Sequence, residues 1–240
     1  MLDILGGALA LKITTTCVIY FSKMTETGAG RSSSSDHTTL TINDGLIIPR
    51  SISASHDAGG GGSSEAEMEL EIIAEYDGTN NPLIFGTGSL PAGNGVAVEK
   101  VTLGPVKIGS TMYHLQSSNF DFGIKEAVKG QSGGLYPEFV GVESQSPAVS
   151  GKSLNLAMQS PFGDGALAAV ILFFRKITRG AGRTADATEE HISITMAECF
   201  LLHGEVAASQ GGEATFDFTI HANYDGTNAI AVIDTTAAIA

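Results

Sequence analysis

The residues most suggestive of catalysis lie in the glycine-rich stretch 130–134, Gly-Gln-Ser-Gly-Gly. A serine between glycines matches the letter pattern of a hydrolase nucleophile elbow, in which a buried strand leads into the serine and a helix follows it. Here Lys125 and Lys129 occupy the preceding segment, and Pro137 prevents a helix from following. We therefore do not expect an acyl-transfer nucleophile in this stretch.

Residue types that can bind metals are present, but they are too few, and too irregularly spaced, to match a known metal-binding motif. The sequence Tyr-Asp-Gly-Thr-Asn occurs at 76–80 and again at 224–228, without the spacing or terminal glutamate of an EF-hand loop. His56 and His203 stand at comparable places in the two halves of the chain and could share a metal with a nearby carboxylate, yet zinc sites generally need three or four ligands. We expect no catalytic residue, no cofactor and no metal, and hence a protein that is not an enzyme.

The most informative pattern is an internal duplication. Residues 65–80 align without a gap on residues 213–228, at a constant offset of 148 (213 minus 65), and nine of the sixteen positions are identical. Each copy predicts an amphipathic strand, a tight turn and a returning strand, because Asp-Gly supplies the positive φ that such turns need. The predicted turn residues are Asp77, Gly78, Asp225 and Gly226. Together with the strand before it, each copy predicts a three-stranded meander, at about 51–86 and 197–234.

One face of the first copy is strongly acidic. Side chains alternate along a strand, so Met68, Leu70 and Ile72 share one face, and the other face carries Glu67, Glu69, Glu71 and, in continuation, Glu75. Like charges at this spacing repel one another, which requires the glutamate face to meet water. It is either an ordinary solvated face or the wall of a wet channel or a charged subunit seam.

The overall charge argues against a surface that binds polyanions. The 240-residue chain has a formal net charge of −13, whereas binding to nucleic acid or anionic lipid depends on clustered Lys and Arg. Basic residues cluster only at 175–183, which includes Arg179 and Arg183, and Glu189 and Glu190 follow. We interpret this region as a solvated or partner-facing loop and these four residues as candidate inter-subunit contacts.

The N-terminal stretch resembles neither a secretion signal nor a membrane span. Residues 2–11 are apolar but lack a basic preceding region, and they are too short to cross a bilayer. The two cysteines, Cys17 and Cys199, do not indicate a disulfide framework, and we expect both to be reduced. We therefore expect synthesis in the cytoplasm and no membrane partner.

The chain as a whole predicts an all-β fold. Short β-branched runs recur between turns rich in Gly, Ser and Asn, a density typical of a β-sandwich or barrel. The apolar run 166–177 predicts a strand, and only residues 123–129, with Ile124 and Val128 four apart, predict a short helix. Residues 1–38 predict an N-terminal arm that the fold could lose without harm, and residues 39–240 predict one β domain with long loops.

Three segments resemble the tail tube proteins (major tail proteins) of bacteriophages. The first is 133–142 with 146–150, where Tyr136 and Pro137 begin a strand after a Gly-rich turn. The second is 209–214 leading into the turn at 222–228, and the third is the same pattern at 59–80, followed by 82–85 and 89–91. The resemblance covers about residues 39–238.

This resemblance implies a β-sandwich or barrel of the tail tube type that forms hexameric rings. The rings would stack into a tube in the virion tail, joined to other tail proteins, and DNA would pass through without specific binding. A long hairpin or terminal arm would bridge the rings, and the candidates are the loop 178–191 and the segment 1–38. An alternative is another phage or surface β-sandwich module, for head decoration or for binding a receptor or carbohydrate.

Overall fold

The computed structural model describes residues 11–13, 16–24, 36–57, 62–63, 65–91, 100–163, 167–178, 182–208 and 212–240. The described residues form strands joined by turns, which confirms the all-β prediction. The first nine strands are β1 (Leu11–Ile13), β2 (Cys17–Phe21), β3 (His37–Ile42), β4 (Gly45–Asp57), β5 (Gly62–Ser63), β6 (Glu67–Ala74), β7 (Leu83–Gly88), β8 (Lys100–Ile108) and β9 (Thr111–Tyr113). The others are β10 (Ser117–Asp121), β11 (Ile124–Lys129), β12 (Phe139–Gln145), β13 (Ala148–Ser153), β14 (Leu167–Thr178), β15 (Gly182–Arg183), β16 (His191–Ala207), β17 (Thr215–Ala222) and β18 (Val232–Ala237).

The predicted helix at 123–129 is wrong. These residues form β11, which pairs with β12 in a two-stranded hairpin. A four-residue apolar spacing fits a helix, but Gly123 has a left-handed φ of 56° and an added Cβ there would lie 2.0 Å from the Ser146 carbonyl oxygen. The chain turns at this glycine and leaves in an extended conformation. Within the described residues, the single helical element is a 3₁₀ helix at Leu156–Gln159.

The large sheet curls until its two ends meet. Strands β8, β14, β16, β17, β13, β10, β4 and β6 are each antiparallel to the next. Glu65, just before β6, forms an antiparallel bridge with Thr102 of β8, and the Ala66 amide donates to the Val101 carbonyl at 2.6 Å. The result is a barrel-like ring of eight strands around one apolar core.

The two repeats are present, but neither is a meander. In the first, β6 pairs with β4 while β7 pairs with β3, and β3 and β4 follow one another along a nearly continuous line. In the second, β17 and β18 both pair with β16, one beyond the other. The chain therefore does not reverse at the Asp-Gly turns. Residues 75–82 and 223–231 are excursions between two strands that run in the same direction.

The duplication extends further than the sequence alignment. Matching the registers places β2 on residues 170–174 of β14, at an offset of 153. It places the β3–β4 line on β16 at an offset of 154 (191 minus 37). His37 and His191 are thereby counterparts, with exposed fractions of 1% and 0%. Each accepts at Nδ1 a backbone hydrogen bond, from Lys23 at 2.9 Å and from Lys176 at 3.1 Å. His56 and His203 are not counterparts.

In the part of the chain that the structure describes, two groups of apolar side chains form the interior. The main cluster fills the ring of eight strands and includes Phe120, Phe174, Phe216, Ile194 and Met196. A smaller cluster is formed by Ile13, Ile42 and Ile47 on the first repeat.

The N-terminal arm expected at 1–38 contains strands of the fold. Strand β1 pairs with β4, and the side chain of Ile13 is 5% exposed within the smaller cluster. Strand β2 pairs with β3. Removing residues 1–38 would therefore remove two sheet strands, contrary to the expectation that the fold could lose this segment without harm.

Candidate functional site: an acidic trough across the sheet

A broad depression lies on the outer face of strands β6, β4, β10, β13, β17 and β16. It has a volume of about 970 Å³ and is open to solvent. One register row crosses all six strands in the order Glu67, Ser53, Asn119, Ser150, Thr219 and Leu202. The neighbouring residues Ile52, Phe120, Val149 and Ile220 point into the core. We call this outer surface the acidic trough.

Alternation of side chains explains why the trough is polar. Strand β4 carries Ser51, Ser53 and Ser55 between the buried Ile52 and Ala54. Because neighbouring strands are in register, short polar side chains align into rows across the sheet. The sequence shows this alternation in each strand separately, but the order of the strands was needed to bring the rows together.

The trough carries an excess of negative charge. It and the adjoining depression of about 480 Å³ beside β6 are lined by seven carboxylates and two cations. The carboxylates are Glu65, Glu67, Glu69, Glu71, Asp121, Glu205 and Asp217, and the cations are Arg50 and Lys152. In the described part of the chain, no Lys or Arg forms an ion pair with Glu67 or Glu69. The glutamates that the sequence assigned to a wet face thus lie along one side of an acidic surface.

Both cations of the trough are held by carboxylates at its margins. Arg50 pairs with Glu71 and, at 2.9 Å, with Glu126, and it donates to the Ile124 carbonyl at 2.7 Å. Lys152 lies 3.5 Å from Asp217. Positive charge that could attract an anion is therefore already partly neutralised.

Glu75 does not belong to the wet face, so that part of the prediction is wrong. It is 8% exposed and accepts a hydrogen bond from Lys12, which also lies 3.2 Å from Asp44. Burial opposes the charged form of Lys12, but the hydrogen bonds and charges of Glu75 and Asp44 outweigh it and raise the Lys12 pKa. Strand β6 ends at Ala74, so the alternation that places Glu67 to Glu71 outside no longer applies at residue 75.

The two repeat turns have the same geometry. Asp77 Oδ1 accepts from the amides of Thr79 and Asn80 at 2.8 and 2.7 Å, and the Asn80 side chain donates to Oδ2 at 2.9 Å. Gly78 has a φ of 86°. Hydrogen bonds from the Asn80 side chain and from these amides lower the pKa of Asp77.

In the second copy, Asp225 accepts from Thr227 and Asn228 in the same way, at 2.7 to 2.8 Å, and Gly226 has a φ of 85°. Its carboxyl pKa is likewise lowered, by the backbone and side chain of Asn228 and by the Thr227 amide. These are rigid, exposed turns, and their shared geometry shows that the duplication is preserved in atomic detail.

The described part of the loop 178–191, from residue 182 onward, is folded back against the molecule. Arg175, only 7% exposed, donates from Nε and Nη2 to the two carboxylate oxygens of Asp186, both at 2.9 Å. The Ile239 amide donates to the Asp186 carbonyl at 2.7 Å. Among the candidate inter-subunit residues, Arg183, Glu189 and Glu190 are exposed, with Glu190 3.4 Å from Lys176, whereas Arg179 lies outside the described residues.

A separate two-stranded sheet is formed by the β11–β12 hairpin, which the sequence did not identify. It presents exposed apolar side chains, namely Val128, Leu135, Phe139 and Val142, with exposures of 49%, 85%, 52% and 40%. Its base is held by Arg50, and its tip touches the first repeat turn. There, the Tyr76 amide donates to the Pro137 carbonyl at 2.9 Å, and the rings of Tyr76 and Tyr136 lie 6.0 Å apart.

The Gly-Gln-Ser-Gly-Gly stretch forms the tip of this hairpin. The Gly134 amide donates to the Gln131 carbonyl at 3.0 Å, which makes a tight turn around Ser132. The residue lies in a turn between two strands rather than between a strand and a helix. The described residues also contain no group of three or more His, Cys, Asp and Glu side chains arranged to hold a metal ion.

No protein-family model matches this chain, and no curated protein matches it significantly in sequence. No helix among the described residues has the length and apolar character needed to cross a membrane.

Proposed function

We propose that this chain is a structural subunit that assembles with copies of itself into stacked rings forming the tube of a phage tail. The observation that carries the proposal is the acidic trough, a broad polar surface of short side chains on a continuous antiparallel sheet. In the assembled tube this trough faces the lumen. The resemblance of residues 39–238 to tail tube proteins supports the same assignment.

The charge of the trough suits a conduit for DNA. Seven carboxylates against two cations give a surface that repels phosphates, and such repulsion acts over about 8 Å at physiological ionic strength. Serine, asparagine and threonine side chains leave few protruding groups to obstruct a passing duplex. DNA therefore slides past the wall without binding to it.

Contacts between rings are assigned to the β11–β12 hairpin rather than to the loop 178–191. The hairpin has exposed apolar residues along its length, Leu135 at its tip among them, and it is attached to the barrel mainly near its base and tip. The loop 178–191 is held down by the Arg175–Asp186 pair. An element with several exposed apolar side chains is the better candidate for packing against the next ring.

Negative-stain electron microscopy of the purified full-length protein tests the proposal. We expect rings, or hollow tubes with a constant diameter, and a concentration-dependent mass in mass photometry. A protein that stays monomeric up to the highest soluble concentration, with neither rings nor tubes, would refute the tube assignment. Discrete trimers without rings would favour the alternative of a decoration or receptor-binding module.

A further inference from the structure

Both repeats carry the same apolar pattern on one face of their outer sheet. In the first repeat this face is formed by β2, β3 and β7, and we call it the β2–β3–β7 face. Its large side chains are Ile19, Phe21, Leu40, Leu83 and Phe85. Register matching pairs them with residues of β14, β16 and the β18 region in the second repeat, in the order Leu172, Phe174, Ile194, Ala231 and Ile233.

The two faces differ sharply in exposure. In the second repeat, Leu172 and Ile194 are fully buried, Phe174 is 1% exposed, and all belong to the main core. In the first repeat, Phe21 is 53%, Leu83 48% and Phe85 73% exposed. Among the described residues, the second repeat's face is therefore covered, whereas the first repeat's face is covered only in part, where Ile42 is 3% exposed and packs with Cys17 and Ile19 in the smaller cluster.

The difference in exposure between the two faces arises from the strands that pair with each sheet. In the second repeat, β8 pairs along the outer edge of β14, and the curled sheet encloses the apolar face. In the first repeat, the described residues provide no strand that pairs with the outer edge of β2. Within the described residues, the β2–β3–β7 face thus lacks the edge partner that its counterpart has, and nothing covers its Phe21, Leu83 and Phe85 side chains to the same extent.

The distribution of charge on the chain indicates which partner the β2–β3–β7 face binds. The chain carries −13, so two copies repel each other over most of their surfaces. Every position on this face of β2, β3 and β7 is free of Asp, Glu, Lys, Arg and His: the nine residues are Cys17, Ile19, Phe21, Thr38, Leu40, Ile42, Leu83, Phe85 and Thr87. Because this face carries no charge of its own, it can dock on another copy of the chain without that repulsion.

The area is sufficient to nucleate such a contact. Phe21 and Phe85 alone expose roughly 250 Å², taking about 200 Å² for a whole aromatic side chain. A stable interface needs about 800 Å² on each partner, so this patch would supply about a third, at its apolar centre. The edge of β2 that no described strand pairs with adds backbone groups that a neighbouring strand can satisfy.

We propose that the β2–β3–β7 face is a self-association surface that docks on a second copy of this chain, replacing the cover that the second repeat finds within its own barrel. The proposal rests on the proposed function, since it names the seam through which the subunits of a ring assemble.

The test compares two adjacent residues of β7 on opposite faces. Phe85→Ser removes the largest exposed side chain of the β2–β3–β7 face. Ile84→Ser alters the other face, where Ile84 is 43% exposed and its counterpart Val232 is 51% exposed. Circular dichroism and thermal melting establish that both variants fold. Mass photometry across a dilution series should show that Phe85→Ser raises the concentration for half-assembly at least about tenfold, while Ile84→Ser changes it less than about threefold.

A second measurement identifies the occupant directly. Benzoylphenylalanine at position 85 should, on illumination, give a covalent dimer by denaturing gel and a peptide cross-link between two copies. Cross-links only within one chain, including to residues 1–10, would overturn the proposal. Wild-type rings with unchanged assembly in Phe85→Ser would overturn it while leaving the tube function standing, whereas a wild-type protein that never assembles would overturn both.

Discussion

At the scale of single residues, the Arg175–Asp186 pair shows how a nearly buried charge is stabilised. The guanidinium is 7% exposed, and the carboxylate, which is 45% exposed on its side chain, binds it through two hydrogen bonds of 2.9 Å. Hydrogen bonding and charge from Arg175 hold the pKa of Asp186 below its ordinary value. Asp186 also anchors the C-terminal segment through its backbone contact with Ile239.

We predict that Asp186→Asn lowers the free energy of unfolding at pH 7 by about 1–2 kcal/mol, a value reduced for the partial exposure of the carboxylate. The folded-state pKa is depressed, so the contribution is complete above the ordinary aspartate pKa of about 3.9 and is lost as the pH falls through the folded pKa. Urea unfolding at several pH values measures this. The difference between variant and wild type should be constant from about pH 6 to pH 8 and shrink below about pH 4.

The exposed Glu189 supplies the control, because Glu189→Gln removes an acidic charge from the same loop without touching the pair. A variant Asp186→Asn that is as stable as Glu189→Gln at pH 7 would contradict the role assigned to the pair.

At the scale of elements, the β11–β12 hairpin packs Ile124 and Val140 into the main core and is anchored at its base by the Arg50 side chain. Arg50 connects Glu71 of β6, Glu126 of β11 and the Ile124 carbonyl. The pairing within the hairpin also includes Lys125 and Glu143, 2.8 Å apart, and both are exposed. The hairpin therefore has an internal ion pair and a separate anchor, which can be removed independently.

We predict that Arg50→Ala increases hydrogen–deuterium exchange across β11 and β12 and leaves β14 and β16 unchanged. Exchange rises because the anchoring bonds to Ile124 and Glu126 are lost, while the main core is untouched. Mass spectrometry with peptic peptides covering 124–145 measures the change. Lys125→Ala is the matched control, and equal exchange of the hairpin in both variants would show that Arg50 is not the anchor.

At the scale of the whole molecule, the distribution of charge is the property most closely tied to the proposed function. The acidic trough runs across six strands, and Glu67 and Glu69 lie on one side of it, exposed to water. The exposed residues Glu189 and Glu190 carry the same charge on a loop outside the trough. If the trough faces the lumen, charge reversal at Glu67 and Glu69 should change the retention of DNA, whereas charge reversal at Glu189 and Glu190 should not.

We predict that the double variant Glu67→Lys and Glu69→Lys retains short duplex DNA inside assembled tubes, whereas Glu189→Lys with Glu190→Lys does not. Clustered cations attract phosphates and release their counterions, so the retained fraction should fall steeply as salt rises. Fluorescence of labelled DNA in pelleted tubes measures retention between 50 mM and 500 mM salt. Equal retention by the two double variants would place the trough outside the lumen.

The sequence alone was enough for the properties that depend on neighbouring residues. Alternation in β6 predicted exposure of Glu67, Glu69 and Glu71, because successive side chains of a strand point to opposite faces. The apolar run 166–177 predicted β14 from its β-forming residues. The wet glutamate face and the all-β class could thus be derived without coordinates. The identical Asp-Gly turns followed from the duplication, because side-chain bonds within five residues are local.

The tertiary structure decided whatever depends on strands that are distant in sequence. Glu75 is buried because Lys12 approaches from β1, and residues 123–129 are extended because β12 pairs with them. The second strand of each repeat continues in the same direction past its turn, because the partner is long enough to pair with both strands one after the other. That partner is the β3–β4 line in the first repeat and β16 in the second. The acidic trough is formed by serines, an asparagine and a threonine from separate strands, and only the order of strands in the sheet aligns them. A period of two places a side chain on one face of its strand, but long-range pairing determines what that face meets.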